Sequence, residues 1–230
     1  MDPRSATRLF DANARTYDAV NSLVSLGLDS RWRAWAADRA VTSPRARVLD
    51  AYCGTGLVGL RAAALGADVT LVDASPAMLA VARSRAAQAG LRARFLLADL
   101  EATPSPLPIR SFDAATVVFG VRYMRDPVGQ LRRLAGTLAS DGRLVVVEFV
   151  EPAARSGPAS RLAAAYFFGM LPRIAAALSG DPALYEYLVR STRDIGGPEQ
   201  LETLVRDAGV TIESGATMGF GLVRGVVARP

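Results

Sequence analysis

The segment VLDAYCGTGLVGL, residues 48–60, decides the fold because an apolar run leads directly into a glycine-rich loop. Gly54, Gly56 and Gly59 have the spacing G-x-G-x-x-G, and Asp73 follows near the distance that a dinucleotide fingerprint expects. The pattern predicts a strand, a tight turn and a helix in close approach to a ligand. It leaves open whether that ligand is NAD or another nucleoside.

Apolar, β-branched segments alternate along the chain with segments rich in Ala, Leu and Arg. We predict strands at 46–50, 68–73, 93–99, 112–120 and 142–150, with helices at 57–65, 76–89 and 127–139. Near-continuous apolar strands indicate a sheet covered on both faces. Ser75 before Pro76 is a typical helix start. The β-α-β-α-β order predicts a doubly wound, mostly parallel α/β sheet.

The end of the chain follows a different pattern. After a predicted helix at 198–208, the segments VTIESGA and GFGLVRGVVA are too close for a parallel return, so they predict an antiparallel hairpin. A parallel sheet with such a hairpin is the architecture of class I methyltransferases, whose sheet is Rossmann-like. We expect one domain over 1–230. Its parts are a helical cap at 1–40, a core at 46–150, a lid insertion at 151–195 and the helix and hairpin at 198–230.

The composition excludes several kinds of chemistry. All 27 basic residues are Arg, and the chain has neither Lys nor His. Lysine Schiff bases, His-paired nucleophiles and His-ligated zinc are therefore excluded, and Cys53 alone builds neither a disulfide nor a thiolate zinc site. We expect no metal. We also expect no nucleic-acid partner, because the net charge of +5 is spread without a dense basic run.

The start of the chain lacks a charged-then-apolar signal segment. The longest apolar run, LAAAYFFGML at 162–171, is about half of what spanning a bilayer requires. We therefore expect a cytoplasmic protein with at most peripheral membrane contact, and we leave a homodimer open.

Three acidic residues close three successive predicted strands, at the sheet edge where ligands bind. Asp50 would repel a pyrophosphate and attract an ammonium group. Asp73 suits a ribose diol, because a carboxylate can accept two hydrogen bonds. Asp99, with the Leu100 backbone beside it, is placed for an adenine amino group. This ordered set favours S-adenosylmethionine (SAM), which carries an α-ammonium and no phosphate, over NAD.

The chain also resembles, over roughly its full length, the UbiE/COQ5 family of C-methyltransferases of menaquinone and ubiquinone biosynthesis. The leader LFDANARTYDAVNSLVSLGLDSRWR (9–33) is similar to the family's F-D-x-x-A-x-x-Y-D-x-x-N, S-x-G and R-x-W-R. LDAYCGTG, DASPAML, VVFGVRYM and GRLVVVEFVEP follow in the family's order, and FFGMLPRIAAALSGDPALYEYLVRST is similar to its later segment. The resemblance implies SAM-dependent methylation of a ring carbon in a prenylated, demethylmenaquinol-like hydroquinone.

The resemblance also implies roles for individual residues. Arg122 matches the Arg of the family's F-G-L-R-N motif, near the substrate, and Tyr17, Asp18 and Asn21 fall on a leader helix that helps to close the site. We take Arg122, Tyr123 and Tyr17 as candidate catalytic residues. The residue arguments and the resemblance together give the expected SAM-binding set: Asp50, Gly54, Thr55, Gly56, Asp73, Ala74, Asp99, Leu100 and Val118.

Three departures from the family pattern leave the acceptor open. Leu57 stands where the family usually has an acid, Tyr123 stands where it has Asn, and RGVVARP replaces its usual A-x-H-x-G. One alternative is therefore a tailoring methyltransferase of a specialised aromatic or isoprenoid metabolite. Another is a SAM-fold enzyme that catalyses a cyclisation or isomerisation without methyl transfer.

The proton acceptor is also open. Removing a phenolic proton makes the neighbouring ring carbon nucleophilic, and the usual base, His, is absent. The options are a water near Arg122, the phenol of Tyr123 or Tyr17, or a carboxylate such as Asp126 or Glu148. Arg122 stays protonated, so we expect it to stabilise the forming phenolate, with an ion pair to Asp126 as the structural alternative. RLAAAYFFGMLPRI (161–174) is either core or a lid over a prenyl tail.

Overall fold

A computed structural model of the protein describes Asp11, Ala14 and residues 17–153, 157–179 and 182–230. Its seven-stranded sheet has the order β3-β2-β1-β4-β5-β7-β6. The strands are β1 (Arg47–Ala51), β2 (Asp68–Asp73), β3 (Arg94–Leu97), β4 (Phe112–Val118), β5 (Leu138–Phe149), β6 (Thr211–Met218) and β7 (Val223–Arg229). Strands β1 to β5 are parallel, and β7 is antiparallel to both β5 and β6. The predicted sheet with its C-terminal hairpin is confirmed.

Helices surround this sheet in the described part of the chain. They are α1 (Tyr17–Val24), α2 (Leu28–Ala40), α3 (Leu57–Ala64), α4 (Pro76–Gln88), α5 (Pro127–Gly136), α6 (Pro158–Ala165), α7 (Leu171–Ser179), α8 (Pro182–Ile195) and α9 (Pro198–Asp207), with a π-helical turn at Tyr166–Met170 between α6 and α7. Local chemistry starts two of them, the first at Ser75 as expected and the second at Asp126, which was not predicted as a cap. The Ser75 hydroxyl accepts the Met78 N–H at 3.1 Å, and the Asp126 carboxylate accepts the Gly129 N–H at 2.9 Å, each before a proline.

Both faces of the sheet are buried, which explains why its strands are apolar throughout. Val48 points into the cluster that includes Ala36 of α2, and its neighbour Leu49 points into the opposite cluster with Leu131 of α5. Successive strand residues face opposite sides of a sheet, so a strand that is buried on both faces shows no alternation of polar and apolar residues.

Several element boundaries differ from the prediction. Strand β3 ends at Leu97, two residues before Asp99. Helix α5 ends at Gly136 instead of 139, because the Thr137 carbonyl turns into the sheet and accepts the N–H groups of Ser111 and Phe112 at 2.8 and 3.1 Å. Strand β5 therefore starts early and carries a register shift opposite β4.

The helices outside the core meet at the carboxyl edge of the sheet. Helices α1 and α2 precede β1, and α6, α7 and α8 lie in the chain between β5 and α9. Helix α1 packs against α7, and the Tyr166 hydroxyl donates to the Val24 carbonyl at 2.9 Å. The leader and the lid segment thus close over the same end of the molecule.

Candidate active site

The glycine loop between β1 and α3 uses its glycines for two different purposes. Gly54 and Gly56 have φ values of +54° and +81°, which L side chains rarely adopt. A Cβ on Gly56 would lie 2.9 Å from the Ala82 Cβ, so this glycine allows α4 to approach the loop. A Cβ on Gly54 would meet nothing within 4 Å, so this glycine borders open space.

Asp50, at the end of β1, is buried beneath this loop. Its carboxylate accepts the Thr116 hydroxyl at 2.7 Å and the Gly59 N–H at 2.8 Å. Desolvation raises the pKa of Asp50 to about 6, although those hydrogen bonds and the charge of Arg33 act to lower it. Asp50 therefore holds the start of α3, and its direct attraction of an ammonium group stays a prediction.

Asp73 ends β2 and holds the loop from the other side. Its carboxylate accepts the Gly54 N–H at 2.8 Å and the Ser75 N–H at 2.9 Å. Burial raises its pKa, and these backbone hydrogen bonds oppose that rise. A carboxylate offers about four lone-pair positions, so two remain for a ribose diol on the open side. These residues fit the nucleoside half of SAM.

The other expected SAM residues lie around this loop. Asp99 follows β3 on the surface, where its carboxylate lies 3.7 Å from the Arg125 guanidinium. Thr55, Leu100 and Val118 are buried, and Ala74 is exposed beside Asp73. The structure thus gathers the expected SAM set at the carboxyl ends of β1, β2, β3 and β4. The contact of each with SAM stays a prediction.

The leader covers the same loop. Arg85 of α4 pairs with Asp18 of α1 at 2.6 Å, and its guanidinium also donates to the Thr55 carbonyl at 3.4 Å. The Ser75 hydroxyl donates to Asp11. Arg85 therefore joins the leader, α4 and the glycine loop in one contact set.

Two adjacent strands end in unusual backbone conformations. Tyr52 after β1 and Phe119 after β4 have φ values of +57° and +60°, in the left-handed region that non-glycine residues rarely occupy. A Cβ on Gly120 would lie 2.9 Å from the Tyr52 Cβ, so the two strand ends touch. Strained backbone of this kind clusters at functional sites. It marks the edge where the glycine loop meets the cavity described next.

A cavity of about 660 Å³ opens between the sheet edge, the leader and the lid segment. Its walls are mainly aromatic and aliphatic. Phe119 and Phe149 stack at 4.6 Å between ring centroids, and Trp32 meets Phe149 edge-on at 5.7 Å. Phe167 of the π-helical turn continues this wall at 5.0 Å from Phe149. The volume lies in the range of about 300–1,000 Å³ that small-molecule sites occupy.

Arg122 lines the cavity directly after β4, with a side chain that is 1% exposed. It pairs with Glu148 of β5, whose side chain is completely buried. Its Nη1 donates to the Leu188 carbonyl at 3.2 Å, to the Ser191 hydroxyl at 3.1 Å and to the Thr192 hydroxyl at 3.0 Å, all on α8. Arg122 therefore ties the lid segment to the sheet.

This pairing corrects two expectations. The structural partner of Arg122 is Glu148, and the expected pair with Asp126 is wrong because Asp126 caps α5. Glu148 is held by Arg122 and by the Phe149 N–H at 2.8 Å. Neither Asp126 nor Glu148 lines the cavity, so these two candidate carboxylates do not face it.

The remaining expected residues lie around the cavity. Tyr123 lines it and stacks on Tyr187 of α8, with ring centroids 5.6 Å apart. Asn21 of α1 also lines it. Tyr17 begins α1, and its side chain lies outside the described residues. The catalytic roles of Tyr123 and Tyr17 stay predictions.

One polar group in the cavity wall was not among the predicted site residues. Ser25, Asp29 and Arg33 are four residues apart in the chain and form one contact set on the leader. The signal was present as two polar residues, Asp29 and Arg33, at positions i and i+4 on one face of α2, with Ser25 in the turn before that helix. Such a face usually contacts solvent, and only the packed lid segment turns this one into a cavity wall.

Comparison with known proteins identifies close sequence relatives. The model of the ubiE/COQ5 methyltransferase family matches residues 2–228. The demethylmenaquinone methyltransferase of Thermus thermophilus is 39% identical over 206 residues, which cover 89% of this chain and 92% of that protein. The ubiquinone/menaquinone biosynthesis C-methyltransferase UbiE of Bordetella parapertussis is 33% identical, and the match covers 98% of this chain and 85% of that protein.

Solved structures support the fold alone. A SAM-dependent methyltransferase from Aquifex aeolicus superposes with a TM-score of 0.60 at 15% identity, covering 85% of this chain and 88% of its own. The (4+2)-cyclase SpnF superposes with a TM-score of 0.65 at 19% identity, covering 100% of this chain and 97% of its own. At these identities the cyclase match carries no argument for cyclisation.

Two other features are absent from the described residues. Within 17–153, 157–179 and 182–230, together with Asp11 and Ala14, no group of three or more His, Cys, Asp or Glu residues is placed to hold a metal ion. None of the helices in that part of the chain combines the length and apolar character needed to cross a bilayer.

Proposed function

Because this chain belongs to the ubiE/COQ5 methyltransferase family, and is thus a SAM-dependent methyltransferase, we propose that it methylates a ring carbon of a demethylmenaquinol-like prenylated hydroquinone. The observation that carries the proposal is the aromatic-walled cavity at the end of β4, the strand end that touches the end of β1 before the glycine loop. The names of the relatives support the same acceptor class.

The cavity suits an acceptor with a flat ring and an apolar tail. Trp32, Phe119 and Phe149 offer faces and edges for an aromatic ring, since such pairs favour stacked or edge-on contacts. Leu162 and Met170 of the lid segment extend the apolar wall away from the sheet, and Met adapts to a flexible chain. A hydroquinone with an isoprenoid tail matches both halves.

For methyl transfer, the main tasks of the protein are to align the methyl donor with the acceptor and to exclude water. SAM would supply the electrophilic methyl group, and Asp73, held against the Gly54 N–H, would hold its ribose at the end of β2. Asp50 keeps the loop in place. The Arg122–Glu148 pair and its contacts with α8 hold the lid segment over the acceptor. In the proposed reaction the guanidinium of Arg122 also favours negative charge on the acceptor oxygen.

The outer rim of the cavity supports transient contact with a membrane by a cytoplasmic protein. Leu26, Leu162, Met170 and Phe220 line the cavity and are each more than half exposed. Arg161 and Arg173 are exposed on the same lid segment. Exposed apolar residues with flanking cations suit the interface of an anionic lipid bilayer, from which a prenylated acceptor would enter.

The test is an acceptor series incubated with SAM and read by mass spectrometry. Reduced demethylmenaquinones with one to several isoprene units should gain one methyl group, and kcat/KM should rise with tail length. Non-prenylated catechols should react poorly. Equal turnover of prenylated and tail-free acceptors would reject the proposed acceptor class, and turnover of none of them would reject the activity on hydroquinones.

A further inference from the structure

A buried carboxylate faces the apolar cavity from the leader helix. Asp29 of α2 is 6% exposed, and its Oδ1 accepts the Ser25 hydroxyl at 3.1 Å. The Asp29 N–H donates back to the Ser25 oxygen at 3.3 Å. This reciprocal contact fixes the carboxylate at the wall. A carboxylate in apolar surroundings is costly unless a partner satisfies it.

The partner on the same helix is only loosely engaged. The Arg33 Nε lies 3.6 Å from the Asp29 Oδ2, which is beyond hydrogen-bond distance. Within the described residues the Arg33 Nε is buried with no hydrogen-bond acceptor. Asp29 and Arg33 both line the cavity, so a carboxylate and a guanidinium lie side by side in its wall. A hydroxyl between them could donate to Asp29 and accept from Arg33.

No other described residue of the cavity wall offers a carboxylate. The charged side chains of that wall are Asp29, Arg33 and Arg122, and its phenols are Tyr123, Tyr166 and Tyr185. The Tyr166 proton is directed to the Val24 carbonyl. Guanidinium groups do not accept protons in proteins. Asp29 is thus the one carboxylate among the described residues of this wall that is placed to accept a proton.

This pair lies close to the strand ends that carry expected SAM-binding residues. The Arg33 guanidinium lies over the Phe119 ring, 5.3 Å from its centroid, at the end of β4. The charge of Arg33 also lowers the pKa of Asp50 beneath the glycine loop. Asp29 and Arg33 therefore stand between the cavity and the loop.

We infer that Asp29 accepts the proton of the acceptor hydroxyl and that Arg33 stabilises the oxygen left behind. The inference rests on the proposed hydroquinone acceptor. The O–H electron pair shifts into the ring, whose neighbouring carbon forms the new bond to the methyl group while the C–S bond breaks and its pair stays on sulfur. That carbon then loses its hydrogen as a proton, and the oxygen takes back a proton. The balance is one methyl group gained and one proton released.

The first test compares three variants in steady-state turnover. Asp29→Asn should lower kcat about 10²- to 10⁴-fold, as loss of a general base does, while S-adenosylhomocysteine affinity stays unchanged. Asp29→Glu keeps a carboxylate and should be intermediate. Asp38→Asn is the matched control, because Asp38 lies on the same helix but pairs with Arg61 on the surface. It should behave as the parent protein.

A second comparison separates a base from a merely structural residue. The Asp29→Asn deficit should shrink for an acceptor whose hydroxyl is already ionised at the assay pH, since no proton then needs to be removed. A deficit that is the same for acidic and ordinary hydroxyls would overturn the assignment. So would an Asp29→Asn enzyme within about threefold of the parent on ordinary hydroxyls, given the effect expected of a lost base.

A third readout does not depend on turnover. The absorbance of bound 4-nitro-1-naphthol distinguishes its neutral and anionic forms, so a pH titration gives the pKa of the bound hydroxyl. Asp29→Asn removes a negative neighbour and should lower that pKa by about 1 unit or more, whereas Arg33→Gln should raise it. No shift in either variant would overturn the inference. If the parent methylates no hydroquinone, the proposed function fails, while this titration still decides whether Asp29 faces a bound hydroxyl.

Discussion

At the scale of single residues, burial gives two similar aspartates different tasks. Asp50 and Asp73 end neighbouring strands, and each accepts a backbone N–H from the glycine-loop region. Asp50 is enclosed, and its second partner is the Thr116 hydroxyl. Asp73 borders open space beside Gly54. We therefore propose that Asp50 supports the loop and that Asp73 recognises the ligand.

The task of Asp73 can be tested by calorimetry with S-adenosylhomocysteine. Asp73→Ala should weaken binding by about 1.5–3 kcal/mol, because hydrogen bonds from the ribose diol to a charged group are lost. Asp68→Ala is the matched control, since Asp68 starts the same strand on the surface and pairs with Arg94. Equal affinity of Asp73→Ala and the parent protein would remove Asp73 from the site.

The task of Asp50 appears in the pH dependence of stability. Its pKa of about 6 in the folded state lies above the ordinary value of 3.8, so the folded protein binds the proton more tightly than the unfolded chain. At about 1.4 kcal/mol per pH unit, the gap corresponds to about 3 kcal/mol of stability that is present below pH 4 and lost as the pH rises through 6. Asp50→Asn stays neutral and should escape this loss.

The measurement is urea unfolding of ligand-free protein at several pH values. The free energy of unfolding of the parent should fall relative to Asp50→Asn between about pH 4 and 7 and then run parallel to it. A constant difference between the two proteins across this range would show that Asp50 does not titrate as described.

Residue chemistry also explains what could be predicted from the sequence at this scale. The positions of Asp50, Asp73 and Asp99 near one edge of the sheet could be predicted because strand ends in a parallel sheet converge there. Asp29 was not singled out, because a polar helical face implies solvent until the packing of a distant segment is known. Glu148 in VVVEFV carried a clearer signal, since an acid inside an apolar strand requires a buried partner.

At the scale of elements, one buried ion pair joins three parts of the fold. Arg122 follows β4, Glu148 lies on β5, and the hydroxyls of Ser191 and Thr192 bring in α8. Tyr187 of α8 adds a hydrogen bond to the Arg122 carbonyl at 2.8 Å. The lid segment is therefore held by polar contacts at its last helix.

Breaking this pair should destabilise the protein strongly. Arg122→Ala leaves the Glu148 charge buried, and such losses amount to about 3–5 kcal/mol in the free energy of unfolding. The double variant Arg122→Met/Glu148→Gln removes both charges and should recover much of that loss. Denaturant unfolding measures both.

Two control variants show whether the loss of stability is specific to the buried Arg122–Glu148 pair. Arg125→Ala should cost less than about 1 kcal/mol, because its pairs with Asp99 and Glu101 are at the surface. Asp126→Ala should cost about 1 kcal/mol through the lost cap of α5 and should not mimic Arg122→Ala. A loss in Arg122→Ala no larger than that in Arg125→Ala would contradict the buried pair.

The order and type of the core elements followed from periodicity, whereas their ends depended on long-range contacts. The strands at 68–73 and 112–118 were found within two residues, because apolar runs between helical segments have few other structures available. The end of α5 was missed by three residues. The sequence around Thr137 gives no sign that its carbonyl accepts hydrogen bonds from the distant Ser111 and Phe112.

At the scale of the whole molecule, the cavity and its apolar rim lie on the same side of the protein. Leu26 belongs to the leader, Leu162 and Met170 to the lid segment, and Phe220 to the turn before β7. Residues far apart in the chain thus meet at one entrance. An acceptor with an isoprenoid tail would reach the ring-binding wall through this rim.

This arrangement predicts weak binding to anionic vesicles. In sedimentation with phosphatidylglycerol-containing vesicles, Leu162→Glu should reduce the bound fraction several-fold, since it places a charge where apolar contact is expected. Ile109→Glu is the matched control, because Ile109 is similarly exposed but does not line the cavity. Equal losses in both variants, or none in Leu162→Glu, would argue against the rim as the contact surface.

The central claim is methylation of a ring carbon, and the site of the new bond tests it most directly. Reduced demethylmenaquinone should be incubated with SAM labelled with carbon-13 in its methyl group, in the presence of a chelator, and the product examined by NMR. We predict a labelled methyl group bonded to a ring carbon next to a hydroxyl-bearing carbon, with both hydroxyls retained and turnover unaffected by the chelator. A labelled methoxy group, or turnover that the chelator abolishes and a divalent ion restores, would contradict this account.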